Sequence, residues 1–360
     1  MSTPHALQAG DRVAVTGASG FVGAHVVRRL LGHGLRVRAV VRDPNDASKT
    51  APVRAAVADL PPEQRALLEF GAGDLLVPGS YDTALRDCQG VAHVAAVARL
   101  AAKDPQREIV DPSVQGVETV YAAAERSGTV RRIVHTSSIV AVVRYDDARK
   151  GHRFDERDWN TESTLATDPY GLAKTLAERR AWQLAESQAS KGGYDVVVIN
   201  PGYVLGTLYA KAHMRSSPAT VAGLMTGAFP VIPRLSFAYV DALDVAEAHS
   251  QALLREQASG RYLLTGPEES LRQTVDRLKA LYPLAKWPSL QVPDALVLLA
   301  ARFDKRMSVA TMRKLISNEL HFDHGKTTRE LGIAWQPLDA SLRRTVDSLD
   351  AGGWARLRRR

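Results

Sequence analysis

The stretch DPYGLAK (168–174) sets Tyr170 and Lys174 four residues apart. Asp168 is suited to capping a helix and Pro169 to its first turn, so the spacing predicts a helix with phenol and ammonium on one face. A free phenol titrates near about pH 10. A neighbouring ammonium favours the phenolate; lowering the value by roughly three units takes about 4 kcal/mol, within reach of a close cation in a partly dry site. Alone, a Tyr-x-x-x-Lys spacing fits equally a tyrosine packed on a lysine stem, so its neighbours decide. The segment HTSS (135–138) ends an apolar run and offers the hydroxyls of Ser137 and Ser138. A serine hydroxyl can hydrogen-bond an oxygen that gains negative charge. Hydroxyl, phenol and ammonium together suit carbonyl reduction, in which hydride reaches carbon, the oxygen becomes negative and a proton must be supplied.

Hydride needs a donor, and the N-terminal TGASGFVG (16–23) points to one. Gly17, Gly20 and Gly23 lie between an apolar run and an amphipathic stretch. Glycine permits the tight turn and the close approach of backbone to a pyrophosphate, and the following helix offers unpaired N–H groups and a positive dipole end. The end of the second apolar run, VVRDP (40–44), chooses between cofactors. An acidic residue there accepts from the ribose hydroxyls of NAD, whereas an arginine pairs with the 2′-phosphate of NADP. Arg42 follows the run directly, Asp43 before Pro44 is suited to a turn, and Lys49 is within reach if the loop folds back. The expected cofactor is NADP, used as NADPH.

These groups need elements to hold them. RVAVTG (12–17), RVRAVVRD (36–43), a strand within LLEFGAGDL (67–75), GVAHVAAVA (90–98), RRIVHTSSI (131–139) and YDVVVINPG (194–202) read as strands that are apolar throughout. Helical patterns separate them. This alternation predicts an α/β fold, a Rossmann-type doubly wound parallel sheet covered on both faces, with ligands beyond the carboxyl ends of its strands. After about residue 205 the pattern shifts to a smaller, mixed, mostly helical lobe. The expected division is a dinucleotide-binding domain over 1–204 plus 236–264, a substrate lobe over 205–235 plus 265–350, and a basic tail over 351–360.

The 360 residues carry a formal net charge of +8 and 45% hydrophobic residues. No zinc-finger spacing, RNA-binding signature or long basic helix accompanies the charge, so a solvated basic surface with a frayed tail is expected, and no nucleic-acid partner. Cys88 is the single cysteine, which excludes an internal disulfide and fits a reducing compartment. The N-terminus lacks an apolar signal-peptide core, and the apolar run ALVLLAA (295–301) is too short to cross a bilayer. A cytoplasmic monomer or homodimer with no membrane partner is the expectation. The ten histidines show no metal-like spacing. His93 and His135 read as buried strand residues, Asp241 and Asp244 as anchors of the helix that follows them, and Trp159 as a loop anchor.

The whole pattern resembles the extended short-chain dehydrogenases/reductases, in particular the dihydroflavonol reductase, cinnamoyl-CoA reductase and yeast-type methylglyoxal/aldehyde reductase branch. The resemblance covers about residues 11–350. TGASGFVG resembles the family's TGxxGxxG, implicating Ser19, Phe21 and Val22 beside the glycines. VRDP resembles the NADP-selecting end of strand two, with Lys49 in the place of a second phosphate ligand. GDL (73–75) resembles the adenine-contacting turn and implies Asp74 and Leu75. HVAAVA, with Ala95, Ala96 and Val97, resembles the segment beside the cofactor. DPSVQGVETV (111–120) resembles a helix of these reductases. TSS followed by YGLAK resembles the catalytic serine and Tyr–Lys pair, with Ser138 on the substrate oxygen and Thr136 and Ser137 toward the cofactor. NPGYVLG (200–206) resembles the nicotinamide loop, with Pro201, Gly202 and Val204. YVDALDVAEAH (239–249) resembles a further family segment.

What the resemblance implies is hydride transfer from NADPH to a small-molecule aldehyde or ketone. Tyr170 would be the general acid, and Lys174 would hold the ribose and tune Tyr170. Tyr203, Leu205, Met214 and Leu224 fall where the smaller lobe should face the substrate. Two enzyme alternatives share this fold and trio, a hydroxysteroid dehydrogenase and a sugar-nucleotide epimerase or dehydratase. Nucleotide-sugar enzymes usually keep an acidic residue where Arg42 stands. A non-catalytic NADP sensor would tend to lack the tyrosine or the lysine.

Overall fold

Apolar residues on both sides of a strand force both faces of a sheet under cover, and the chain supplies that cover with helices. In the computed structural model, which describes residues 5–97, 102–189, 191–303 and 309–359, strands and helices alternate through the first half. The strands are β1 (Arg12–Thr16), β2 (Arg36–Val41), β3 (Leu68–Ala72), β4 (Gly90–His93), β5 (Arg132–Thr136), β6 (Arg153–Phe154) and β7 (Asp195–Pro201). Then come β8 (Tyr203–Leu205), β9 (Val231–Ile232), β10 (Ser236–Asp241), β11 (Gly260–Leu264), β12 (Glu268–Ser270), β13 (Leu290–Gln291) and β14 (His321–Phe322).

The main sheet has seven strands in the order β11-β7-β5-β4-β1-β2-β3, and every neighbouring pair in it is parallel. Strand side chains alternate between two cores. Val13, Val15, Val197 and Ile199 face one core, shared with the helices Phe21–Gly32 and Ala242–Leu254. Ala14, Val196 and Val198 face the other, shared with Asp111–Ser127 and Pro169–Ala189. The strand order reverses between β1 and β4, which opens the crevice where such sheets bind ligands. The doubly wound parallel fold is therefore as the apolar strands predicted.

Three boundaries differ from expectation. The fourth strand stops at His93; Val94–Val97 run on without strand pairing, and Ala98 lies outside the described residues. Of the segment 236–264, β11 joins the main sheet, but β10 forms a second sheet in the order β12-β10-β8. Its outer half carries Phe237 and Tyr239 into the small-lobe core, which is why it leaves the main sheet. Conversely, Leu331 and Ile333, expected in the small lobe, pack in the main-domain core, because Thr327 Oγ1 and Arg255 tie that segment to β11 and to the end of the neighbouring helix.

The tail is not frayed over its described part. Ala355 is buried in the small-lobe core, with Trp354 and Leu357 packed on it. Lys286 N donates to Arg358 O at 2.7 Å. The apolar residues between the arginines account for this docking. Among the described residues no helix is long and apolar enough to cross a membrane.

Candidate active site

The glycine loop follows β1 at the crevice. Gly17 has φ +65°, and a Cβ there would lie 2.7 Å from Ala95 Cα. The loop thus presses against the segment after β4, where Ala95 N donates to Thr16 Oγ1 at 3.1 Å. Gly23 allows no side chain either, since its Cβ would lie 2.2 Å from Gly17 O. The helix that begins at Phe21 has no side-chain cap and no acidic residue in its first turn, so its N–H groups and dipole are available to an anion. Ser19 O accepts from His213 Nε2 at 3.0 Å, and Phe21 lies edge to face with His25. Val22 packs on the main core.

At the end of β2, Arg42 is exposed. Asp43 accepts from Asn45 N at 2.9 Å and so closes the turn. Lys49 stays on its own helix turn, 3.5 Å from Asp46. Asp74 follows β3, its Oδ1 accepting from Leu76 N at 2.9 Å, while Leu75 packs against Gly116. Ala95, Ala96 and Val97 form the loop after β4, with Ala96 exposed.

Asp168 caps the helix Pro169–Ala189, its Oδ1 accepting from Gly171 N at 2.9 Å. That helix carries Lys174 to the carboxyl end of β5, where its Nζ donates to Thr136 O at 3.4 Å, with Tyr170 one turn earlier on the same helix. Ser138 is partly exposed, and its Oγ accepts from Val140 N at 3.3 Å. Ser137 turns the other way and is buried, donating to Glu178 Oε2 at 2.5 Å. Burial, with the Asp168 carboxylate second, pushes the Tyr170 phenol up to about 12. Burial pulls Lys174 down to about 8, while Glu178 acts the other way. The expected lowering of the phenol by the lysine is not what this arrangement produces. Both groups lose water here, and the carboxylate near the phenol is Asp168.

Below the lysine lie neutral histidines. Burial lowers His93 to about 3, with Lys174 adding to it, and holds His135 well below its ordinary value. His93 Nδ1 bonds Thr16 Oγ1 at 2.8 Å. His249 Nδ1 donates to Val245 O at 2.7 Å, so Nε2 is the acceptor for Thr136 Oγ1, also at 2.7 Å.

Past β7, Gly202 has no room for a Cβ, which would stand 2.3 Å from Ala238 O. Pro201 ends β7, and Val204 pairs with Val240 in the second sheet. Tyr203 stacks on Phe237 with ring centroids 4.2 Å apart, and Met214 is partly buried against the small-lobe core. Leu205 and Leu224 are core positions of the small lobe at 0% and 1% exposure, not open pocket lining. Asp241 caps its helix through Leu243 N at 2.8 Å, and Trp159 lies under Arg261 at 4.1 Å. Among the described residues no cluster of His, Cys, Asp and Glu could hold a metal ion.

A family model described as "NAD dependent epimerase/dehydratase family" matches residues 13–264. The chain belongs to that family, the extended short-chain dehydrogenases/reductases. It is 33% identical over 351 residues to a cinnamoyl-CoA reductase of Medicago truncatula, covering 97% of this chain and 98% of the relative. It is 33% identical over 287 residues to a dihydroflavonol 4-reductase of Arabidopsis thaliana, covering 78% and 72% of the two chains. The solved structure of Gre2 from Candida albicans in complex with NADPH superposes with a TM-score of 0.77 at 24% identity, over 95% of this chain and 99% of that one. As a member of this family the protein is an NAD(P)-dependent oxidoreductase.

Sequence reasoning missed Glu178, Asn200, Arg261 and His213. Glu178 continues the Tyr170–Lys174 face by four more residues, a spacing that could have drawn notice. Arg261 sits inside an apolar strand, GRYLL, where a cation needs a buried partner.

Proposed function

We propose that this protein is an NADPH-dependent carbonyl reductase acting on an aldehyde or ketone, with Tyr170 as the general acid. The observation that supports it is one helix that bears Tyr170 and, one turn on, Lys174 against the end of β5, where Ser138 is partly exposed, in the sheet whose first loop is the glycine cradle. The similarity to relatives named as reductases of carbonyl compounds agrees with this.

The residues present fit the cofactor. Gly17 and Gly23 leave backbone where a side chain would stand, and the uncapped helix start faces the same loop. Asp74, Leu75, Ala95, Ala96 and Val97 would line the adenosine side, and Thr136, Pro201, Gly202 and Val204 the nicotinamide side; Ser137, expected toward the cofactor, is instead buried with its hydroxyl on Glu178. Arg42, with Lys49 beyond it, would pair with a 2′-phosphate. Bound NADPH supplies a hydride at the crevice.

The chain's own groups do the remainder. Ser138 Oγ holds the carbonyl oxygen. As the new C–H bond forms, the carbonyl π pair moves onto oxygen, which takes the Tyr170 proton. Raised to about 12, the phenol is protonated throughout the neutral range, so the proton is in place. The Lys174 ammonium balances the charge left on the phenolate. Tyr203 and Met214 line the substrate side. A reducing, cytoplasmic setting and a monomeric or homodimeric state complete the reading.

Mixing the enzyme with NADPH and a panel of aldehydes, diketones, ketosteroids and flavonoid-like ketones, followed by NADPH absorbance, tests the reading; absorbance unchanged across the panel contradicts it. For the cofactor, Arg42→Ala should weaken NADPH binding about 10- to 100-fold, the loss of a charge-assisted contact, and leave NADH binding unchanged. Equal affinity of the unaltered protein for NADPH and NADH would defeat the NADP assignment.

A further inference from the structure

A fully buried carboxylate lies one turn beyond Lys174. The Glu178 side chain is 0% exposed and that of Arg261 is 6% exposed, with Arg261 Nε 2.6 Å from Oε1. Oε1 also takes Trp182 Nε1 at 3.4 Å. Oε2 accepts from Ser137 Oγ at 2.5 Å and from Asn200 Nδ2 at 2.8 Å. The same Asn200 amide reaches Ser138 O at 3.2 Å. Arg261 is itself fixed, since Nη1 donates to Glu156 O at 3.0 Å and to Asp158 O and its guanidinium lies on Trp159. One carboxylate thus joins the Tyr170–Lys174 helix, the turn after β5, the end of β7 and β11. Burying such a pair is unfavourable unless every lone pair is used, and here one bond is relayed through Asn200 to the backbone of the partly exposed Ser138.

We propose that Glu178 is a positioning residue that, through Asn200, holds the Ser137–Ser138 turn in register with Tyr170 and Lys174. The proposal rests on the carbonyl-reductase reading. Its chemistry is an acceptor count. A carboxylate accepts at both oxygens, whereas an amide accepts at one. In Glu178→Gln the amide oxygen stays on the side of Arg261 Nε, the shorter of its two contacts, so the NH₂ takes the place of Oε2 and faces Asn200, with Arg261 Nη2 farther off at 3.5 Å. Asn200 Oδ1, buried and unpartnered, then turns to accept from it, and Nδ2 leaves Ser138 O. The serine hydroxyl loses its orientation although no group that touches substrate has changed.

The test uses the full chain with NADPH and the best ketone of the panel that yields a chiral alcohol. Each rate is divided by the NADPH sites titrated in the same sample. Glu178→Gln should lower kcat about 10- to 100-fold, a misplacement effect, with NADPH affinity within about twofold and a looser ratio of product enantiomers. Asn200→Ala leaves the Glu178–Arg261 pair intact and should reproduce the loss of kcat and of enantiomer ratio. If Asn200→Ala keeps kcat per site and enantiomer ratio, the proposal is overturned whatever Glu178→Gln does. If both variants fail to bind NADPH, it is also overturned, because that is the behaviour of a fold brace. If unaltered protein reduces no carbonyl, it is the reductase reading that fails.

Discussion

Lys174 is the residue at which function and stability conflict most openly. Burial holds its ammonium at about 8, well below the ordinary lysine value of about 10.4. A base whose folded value is depressed destabilises the fold while it is charged. The penalty is full below about pH 8 and gone above about 10.4. Because the side chain keeps partial contact with the cleft, Lys174→Met should raise stability by about 1 to 3 kcal/mol at pH 7, with no gain near pH 10.5. Denaturant unfolding at both values checks this, and equal gains would contradict it. Carbonyl reduction by the unaltered enzyme should fall as pH rises through about 8, where Lys174 loses its charge; a rate flat to pH 10 would contradict the role given to the ammonium.

At the scale of elements, the glycine loop and the helix after it form one unit. Gly23→Ala sets a Cβ against Gly17 O at 2.2 Å, and the loop must shift. Loss of about 1 to 3 kcal/mol of stability should accompany at least a tenfold loss of NADPH affinity, read by calorimetric titration; unaltered affinity would remove this loop from the cofactor site. The loop was legible in the sequence because its glycines are demanded by local geometry. The same holds for the strands, whose uniform apolarity follows from cover on both faces, and for the Asp168 cap. The ends of elements were less legible. Whether β10 joined the main sheet depended on where Phe237 and Tyr239 found a core, which is a tertiary matter. The Glu178–Asn200–Arg261 network joins residues far apart in sequence, so the helical spacing of Glu178 and the strand position of Arg261 mark them singly but no local pattern pairs them. Leu205 and Leu224 look like any pocket leucine until the small-lobe core closes over them.

For the whole molecule, the two lobes are tied at the glycine loop and at the helix that follows it. His25 Nε2 donates to Thr207 O at 2.9 Å and His213 Nε2 to Ser19 O at 3.0 Å. The C-terminal segment closes the smaller lobe from behind through Trp354, Ala355 and Leu357. Removing residues 354–360 should therefore destabilise the protein by about 2 to 4 kcal/mol, the value of losing one large apolar group and parts of others. A thermal scan of the truncated chain checks this, and an unchanged midpoint would return the tail to the solvated status that its arginines suggested. The central claim is chemical, that a half-buried phenol on a helix beside the cofactor crevice gives its proton to a reduced carbonyl. Tyr170→Phe tests it most directly. Turnover of the best carbonyl per titrated NADPH site should fall about 100- to 10,000-fold with NADPH affinity kept, whereas turnover within a few-fold of the unaltered enzyme would contradict the account.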